Sequence, residues 1–220
     1  VCRWHAGRHG SKNKRMQYLS IVSQEMQRLK ILISSMLNLT KFDNGTIEIH
    51  YQLFPIQDLA FRTILMFESR LEKRNITLEG LDSEPVQVWG DPDLIGQVIY
   101  NLFENATKFV NTGGTITFTF KDEPNSTSIA IRNTGAGISK EELPKIFERF
   151  YKSDDSRSHD KTGLGIGLDI TKHIVRLHKA QISVSSEEGE YTEFLIRLPK
   201  KDAPAESPTE NPEKQPKDAR

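Results

Sequence analysis

The chain has one cysteine, Cys2. That excludes an internal disulfide, and its place near the start argues against a structural metal site and fits a reducing, cytoplasmic setting. No apolar run approaches the roughly 20 residues that span a bilayer. There is no surplus of charge either: 30 basic side chains meet 30 acidic ones, which gives no reason to expect nucleic acid or an acidic membrane surface as the main partner. A Gly-x-x-x-x-Gly-Lys-Ser/Thr phosphate loop is absent, and the glycines at 163–167 do not follow a strand, so both commoner nucleotide-binding signatures are disfavoured. What is present is enough sequence, 220 residues, for one good core and a smaller appendage. It begins with Val1 rather than Met, as a piece of a longer protein would.

Residues 1–15 are basic and glycine-interrupted with no apolar period, which predicts a disordered start. A strict heptad follows over 16–42: Leu19, Met26, Ile33 and Thr40 share one position, and Val22, Leu29 and Met36 share another. A lone helix cannot keep such a seam in water. It packs either on the chain's own domain or, as its length favours, in a helical hairpin or intersubunit bundle. Asp43-Asn44-Gly45 supplies a left-handed cap, closing a helical unit over 16–44. Ile47, Ile49 and Tyr51 alternate with polar neighbours as a strand does. Pro55 suits the first turn of a helix whose apolar face includes Leu59, Ile64, Leu65, Phe67 and Leu71.

Short strands are expected at 76–78 and 86–89, and Asp91-Pro92 opens a second helix whose far end is 111–114. Segments 115–121 and 127–132 flank a polar turn and should pair as an antiparallel hairpin. Ser139 and Glu142 make a capping box for a helix containing Leu143 and Ile146. Between Tyr151 and Thr162 the composition is that of a mobile polar loop. A helix over about 163–178 precedes strands near 182–185 and 192–198, and residues 200–220 form a disordered tail.

Asn101 and Asn105 are four residues apart and share one helix face, with Lys108 near that face one turn on. Amide oxygens are hard, neutral ligands suited to Mg2+, which also takes oxygens from nucleotide phosphates. Lys108 can neutralise phosphate charge. Asn133 ends a predicted strand just ahead of Gly135 and Gly137. Those glycines permit a sharp turn and close approach to a flat ligand, while a side-chain amide can accept from an adenine amino group and donate back. A hairpin exit without ligand would look the same. Gly163, Gly165 and Gly167 open a helix, where free N–H groups and the positive dipole end favour phosphate, though tight helix packing also uses glycine. His173 and His178, on this late helix, read as surface residues.

Taken in order, four segments carry a resemblance: Asn101-Leu102-Phe103-Glu104-Asn105-Ala106-Thr107-Lys108-Phe109, Asn133-Thr134-Gly135-Ala136-Gly137, Phe147-Glu148-Arg149-Phe150-Tyr151 and Gly163-Leu164-Gly165-Ile166-Gly167. Over about Leu53 to Pro199 the chain resembles the catalytic and ATP-binding domain of bacterial sensor histidine kinases, within the GHKL group that also holds gyrase, heat-shock chaperone ATPases and mismatch-repair ATPases. The resemblance implies an α/β fold, a two-layer sandwich whose mixed sheet is covered on one face by helices. It implies ATP and Mg2+ as cofactors, with magnesium near Asn101 and Asn105, phosphate near Lys108, and adenine near Asn133 beside the turn of Gly135 and Gly137. Phe147, Phe150 and Tyr151 would anchor a lid, Arg149 and Arg157 would reach phosphate, and Gly163, Gly165 and Gly167, with Leu164 and Leu168, would receive the phosphates.

The heptad helix resembles the second helix of the family's dimerisation and phosphoacceptor hairpin, implying a homodimer through 16–42. The first helix, with a His followed by an acidic residue and soon a Pro, has no counterpart here, since neither His5 nor His9 has that setting. The implied activity is transfer of the γ-phosphoryl of Mg-ATP to a histidine and then to an aspartate of a response regulator. The place would be the cytoplasm, or the cytoplasmic portion of a membrane-anchored sensor. Hydrolytic members carry a glutamate four residues before the magnesium asparagine, where this chain has Asn101, and an amide takes no proton at neutral pH. An ATPase is therefore disfavoured; a nucleotide-binding regulatory module without autokinase activity is the other alternative. Two departures stand out. Asn133 replaces the more usual Asp and loses charge-assisted strength, and Lys179-Ala180 stands where two glycines often follow His178, at a cost of roughly 1 kcal/mol if that cap needs positive φ.

Overall fold

A computed structural model describes residues 22, 26, 29, 48–152 and 165–201. The start at 1–15, most of the heptad helix, the loop 153–164 and the tail beyond 201 lie outside them. Val22, Met26 and Leu29 have helical backbone and expose 58, 63 and 50 % of their surfaces. All three are seam positions.

From residue 52 the order is β1 (Gln52–Pro55), α1 (Ile56–Lys73), β2 (Thr77–Glu79), β3 (Gln87–Gly90), α2 (Pro92–Phe109), β4 (Thr115–Asp122), β5 (Ser126–Thr134), α3 (Gly167–Leu177), β6 (Gln181–Glu187) and β7 (Tyr191–Pro199). Local chemistry explains the helix ends. Asp91 caps α2, its Oδ1 accepting from the N–H groups of Asp93 (3.0 Å) and Leu94 (3.2 Å), with Pro92 where a missing N–H costs nothing. At the other end Arg74 donates to the carbonyls of Thr107 (2.6 Å) and Val110, meeting acceptors that no helical N–H can reach. Both α1 and α3 end in Schellman motifs. In the first, Asn75 at φ 50° donates to Glu72 O (3.1 Å) and Ile76 to Leu71 O (3.0 Å). In the second, Lys179 at φ 53° donates to Arg176 O (3.0 Å) and Ala180 to Val175 O (2.9 Å). The cap after His178 thus does demand positive φ, from a lysine.

The main sheet has five strands in the order β2-β4-β5-β7-β6. β2 runs parallel to β4 and the remaining pairs are antiparallel, so the sheet is mixed. β1 and β3 form a separate antiparallel pair. Period-2 alternation sends Ile116, Phe118 and Phe120 of β4, and Phe194, Ile196 and Leu198 of β7, into one buried core with the apolar faces of the three helices. At the centre, Phe103 of α2 is fully buried, its ring edge-on to Phe67 of α1 (5.4 Å) and 5.5 Å from Phe118 of β4. Truncation there to alanine would cost about 3–5 kcal/mol. This is a two-layer α/β sandwich.

Two local expectations fail. Ile49 and Tyr51 are not in a strand; pairing with β3 begins only at Gln52. Their alternation serves contacts instead, Ile49 against the core and Tyr51 stacked on Trp89 at 5.8 Å. The capping-box helix does not form, and its two residues meet side chain to side chain instead. Ser139 Oγ reaches Glu142 Oε2 (3.4 Å) and Leu143 N–H donates to Ser139 O (3.1 Å), yet 140–150 continue as turns. Pro144 explains it, since it lacks the next N–H and disfavours helical backbone at the residue before it.

Candidate functional site

α2 presents its polar face at mid-length. Asn101 is 5 % exposed, and its amide nitrogen donates to Gly167 O (3.0 Å) and Thr171 Oγ1 (3.4 Å). Thr171 Oγ1 itself donates to Gly167 O (2.9 Å). The asparagine helix and the opening turn of α3 are thereby one unit, with only the Oδ1 of Asn101 uncommitted among these contacts. Asn105, one turn on and half-buried, has an amide with no hydrogen-bond partner among the described residues. Lys108 Nζ lies 3.3 Å from Glu104 Oε1, which turns that carboxylate toward a cation on its own helix.

Asn133, 4 % exposed near the end of β5, donates from its amide nitrogen to Thr134 O (3.1 Å). That bond orients the side chain, leaving Oδ1 as the available acceptor. The turn beyond it is sewn to the β6–β7 hairpin. Gly135 N–H donates to Glu190 O (3.0 Å), Gly189 N–H to Ala136 O (2.7 Å) and Ile138 N–H to Ser186 Oγ (2.8 Å). Gly137 is required by the fold itself: at φ 70° a Cβ would fall 2.2 Å from Glu187 O. An isolated bridge between Val110 and Gly135 joins this turn to the end of α2.

The aromatic segment meets β7 and the turn leading into α3. Phe147 is edge-on to Phe194 at 6.3 Å, while Tyr151 Oη donates to Glu142 Oε1 (3.3 Å). Phe150 N–H donates to Gly165 O (3.0 Å), and the ring of Phe150 is 70 % exposed on backbone at φ 65°. A Cβ on Gly165 (φ 68°) would fall 2.7 Å from Tyr151 O, so only glycine fits under this segment. Arg149 Nε donates to Asp169 Oδ2 at 2.9 Å. Leu168 packs against the core. The structure thus brings Asn101 to Gly167 and Phe150 to Gly165; Arg157, Gly163 and Leu164 lie outside the described residues.

Sequence reasoning missed several members of this assembly. Asp169, 6 % exposed in the first turn of α3, holds Arg149 on one side and His173 Nδ1 (3.3 Å) on the other. His173 at i+4 was the available signal, an acid–imidazole pair on one helix face. His178 is the clearest correction, because it is 2 % exposed rather than on the surface. Its Nδ1–H donates to Ile174 O (2.8 Å) and its Nε2 accepts from Asp91 N–H (3.1 Å). One partner can only accept and the other can only donate, which fixes the neutral tautomer. Burial pushes the pKa of His178 down, against smaller upward pulls from the Ile174 carbonyl and the Asp91 carboxylate. Asp91 Oδ2 also accepts from His50 N–H (2.9 Å), and Tyr51 meets the His178 ring edge-on at 5.5 Å.

Residues 90–202 match the family model described as histidine kinase-, DNA gyrase B-, and HSP90-like ATPase, and the chain belongs to that family. Similarity narrows the branch. Sensor protein SrrB of Staphylococcus aureus (strain NCTC 8325 / PS 47) is 33 % identical over 183 residues, covering 83 % of this chain and 31 % of SrrB. This chain therefore spans about a third of the length of the curated relatives it matches. The solved catalytic domain of histidine kinase ThkA, in a nucleotide-free form, superposes with a TM-score of 0.59 at 27 % identity, over 68 % of this chain and 95 % of that one. ThkA solved in complex with response regulator protein TrrA shares the fold, with a TM-score of 0.60 at 23 % identity over 89 % of this chain and 52 % of that one. The chain is of the sensor-histidine-kinase kind, and what it carries is the GHKL catalytic domain.

Proposed function

We propose that this chain binds Mg-ATP and transfers the γ-phosphoryl group to a histidine, from which it passes to an aspartate of a response regulator. One observation carries the choice of transfer over hydrolysis. Asn101 occupies the position of the hydrolytic glutamate and commits its amide nitrogen to Gly167 O and Thr171 Oγ1. An amide cannot take a proton from water, and Glu104 is directed to Lys108 instead.

The residues present suit magnesium. Asn105 offers a half-buried amide with no partner among the described residues, and Asn101 offers Oδ1; these neutral oxygens would hold the ion, whose charge would offset that of the phosphates. Asn133 Oδ1 would accept from the adenine amino group, and Lys108 and Arg149 would neutralise phosphate charge. The N-terminus of α3 supplies N–H groups at Gly165–Gly167. Catalysis is then positioning and charge neutralisation. The acceptor histidine would come from a phosphoacceptor hairpin, and the seam through Val22, Met26 and Leu29 supports a homodimer on the second helix of such a hairpin, with 53–199 as the catalytic unit. That ThkA was solved with a response regulator supports the last step.

Labelled ATP tests the reading. Mixed with a sensor-kinase phosphoacceptor hairpin, the chain should place an acid-labile, base-stable label on the hairpin, and Asn105→Ala should abolish it. Rapid phosphate release without label would favour an ATPase. Nucleotide binding with neither outcome would favour a regulatory module.

A further inference from the structure

A buried carboxylate in the first turn of a phosphate-receiving helix calls for explanation. Asp169 sits two residues after Gly167, where the positive end of α3 would otherwise act undiminished on phosphate. Its negative charge opposes that role unless another group uses it. Asp169 is 6 % exposed, and its Oδ2 takes Arg149 Nε at 2.9 Å. The backbone beside Arg149 is fixed to the same glycine turn, since Phe150 N–H donates to Gly165 O (3.0 Å) and Tyr151 O lies 2.7 Å from where a Gly165 Cβ would be. Arg149 is therefore held twice against α3, by backbone at 150 and by its own guanidinium.

We propose that Asp169 is a positioning residue for the triphosphate: it holds Arg149 by Nε beside Gly165–Gly167, so that the guanidinium is in place before nucleotide arrives. This rests on the nucleotide reading above and adds to it which group sets the cation. An arginine side chain carries large rotamer freedom, and fixing it in advance removes an entropy cost that binding would otherwise bear. The bond from Nε to Asp169 is charge-assisted, which fixes the orientation of the planar guanidinium. His173 fixes the other side of the carboxylate, with Nδ1 at 2.9 Å from Asp169 O and 3.3 Å from Asp169 Oδ1. It touches the carboxylate without touching Arg149 in any of these bonds.

Calorimetric titration of the full chain with Mg-ATP and Mg-ADP separates the possibilities. Asp169→Asn should lower the preference for ATP over ADP about tenfold, the scale of coupling between groups in one charged network. In an Arg149→Ala background the same change should do nothing further. Asp169→Glu should restore part of the preference. A purely structural Asp169 would lower stability, seen in the urea midpoint, and leave the ATP:ADP ratio alone; that result overturns the proposal. So does a raised ratio, which would mean that Asp169 acts only by repelling phosphate, and so do additive losses in the double variant. Binding of neither nucleotide by the unaltered chain would instead overturn the nucleotide reading itself.

Discussion

His178 shows how a single residue can be read correctly for type and wrongly for place. Near the C-terminus of a helix an imidazole looks solvated, yet its partner Asp91 is 87 residues away in sequence. Only the packing of α3 beside α2 brings them together. Its folded-state pKa is depressed by burial, below the ordinary 6.5. The unfolded chain then binds more protons than the folded one as pH falls through 6.5, so stability present above that value declines below it. Urea midpoints measured from pH 7.5 down to 5 should fall, and His178→Gln should flatten that part of the curve. Unchanged pH dependence in the variant would show that other groups carry it. The pairing of Asp169 with Arg149 was hidden for the same reason, the two being 20 residues apart and joined through tertiary structure. By contrast, Asn101, Asn105 and Lys108 could be read together from sequence because helical period alone puts them on one side of α2.

Elements were legible wherever local chemistry agreed with itself. α2 has its cap in Asp91, its proline in the first turn and an apolar stripe, so its start fell where expected. The β4–β5 hairpin followed from alternation on both sides of a polar turn. The segment 140–150 misled because Ser139 and Glu142 favour a helix while Pro144 forbids its continuation, and the proline prevails. The end of α3 offers a direct test. Lys179 holds the left-handed position of a complete Schellman motif at φ 53°, and no hydrogen bond in that motif depends on its side chain. Lys179→Gly should raise stability by about 1 kcal/mol and the thermal midpoint by about 3 °C. The gain is limited by the extra freedom that glycine gives the unfolded chain. A loss of stability would mean that the lysine side chain contributes more than its backbone costs.

At the scale of the molecule, the sandwich and the seam are separate structural problems. Among the described residues, the core between sheet and helices is built from positions within 48–201. Val22, Met26 and Leu29 add nothing to it and stand open. Sedimentation should therefore show the 220-residue chain as a dimer and a fragment of residues 48–201 as a monomer that keeps its nucleotide affinity. A monomeric full chain would remove the seam as an interface, and a fragment that failed to fold would place part of the core upstream of residue 48. Sequence could show that an apolar seam existed but not its partner, because a heptad looks alike whether it meets its own domain or another chain.

α2 is held at both ends, by Asp91 with His178 and His50 at one, and by Arg74 and the Val110–Gly135 bridge at the other. It behaves as a shaft seated in two bearings. Sliding it along its axis would break hydrogen bonds at both seats at once, and turning it would pull Asn101 off Gly167. The asparagines are consequently the fixed jaw of the site, and whatever adjustment nucleotide demands falls to the groups that face them.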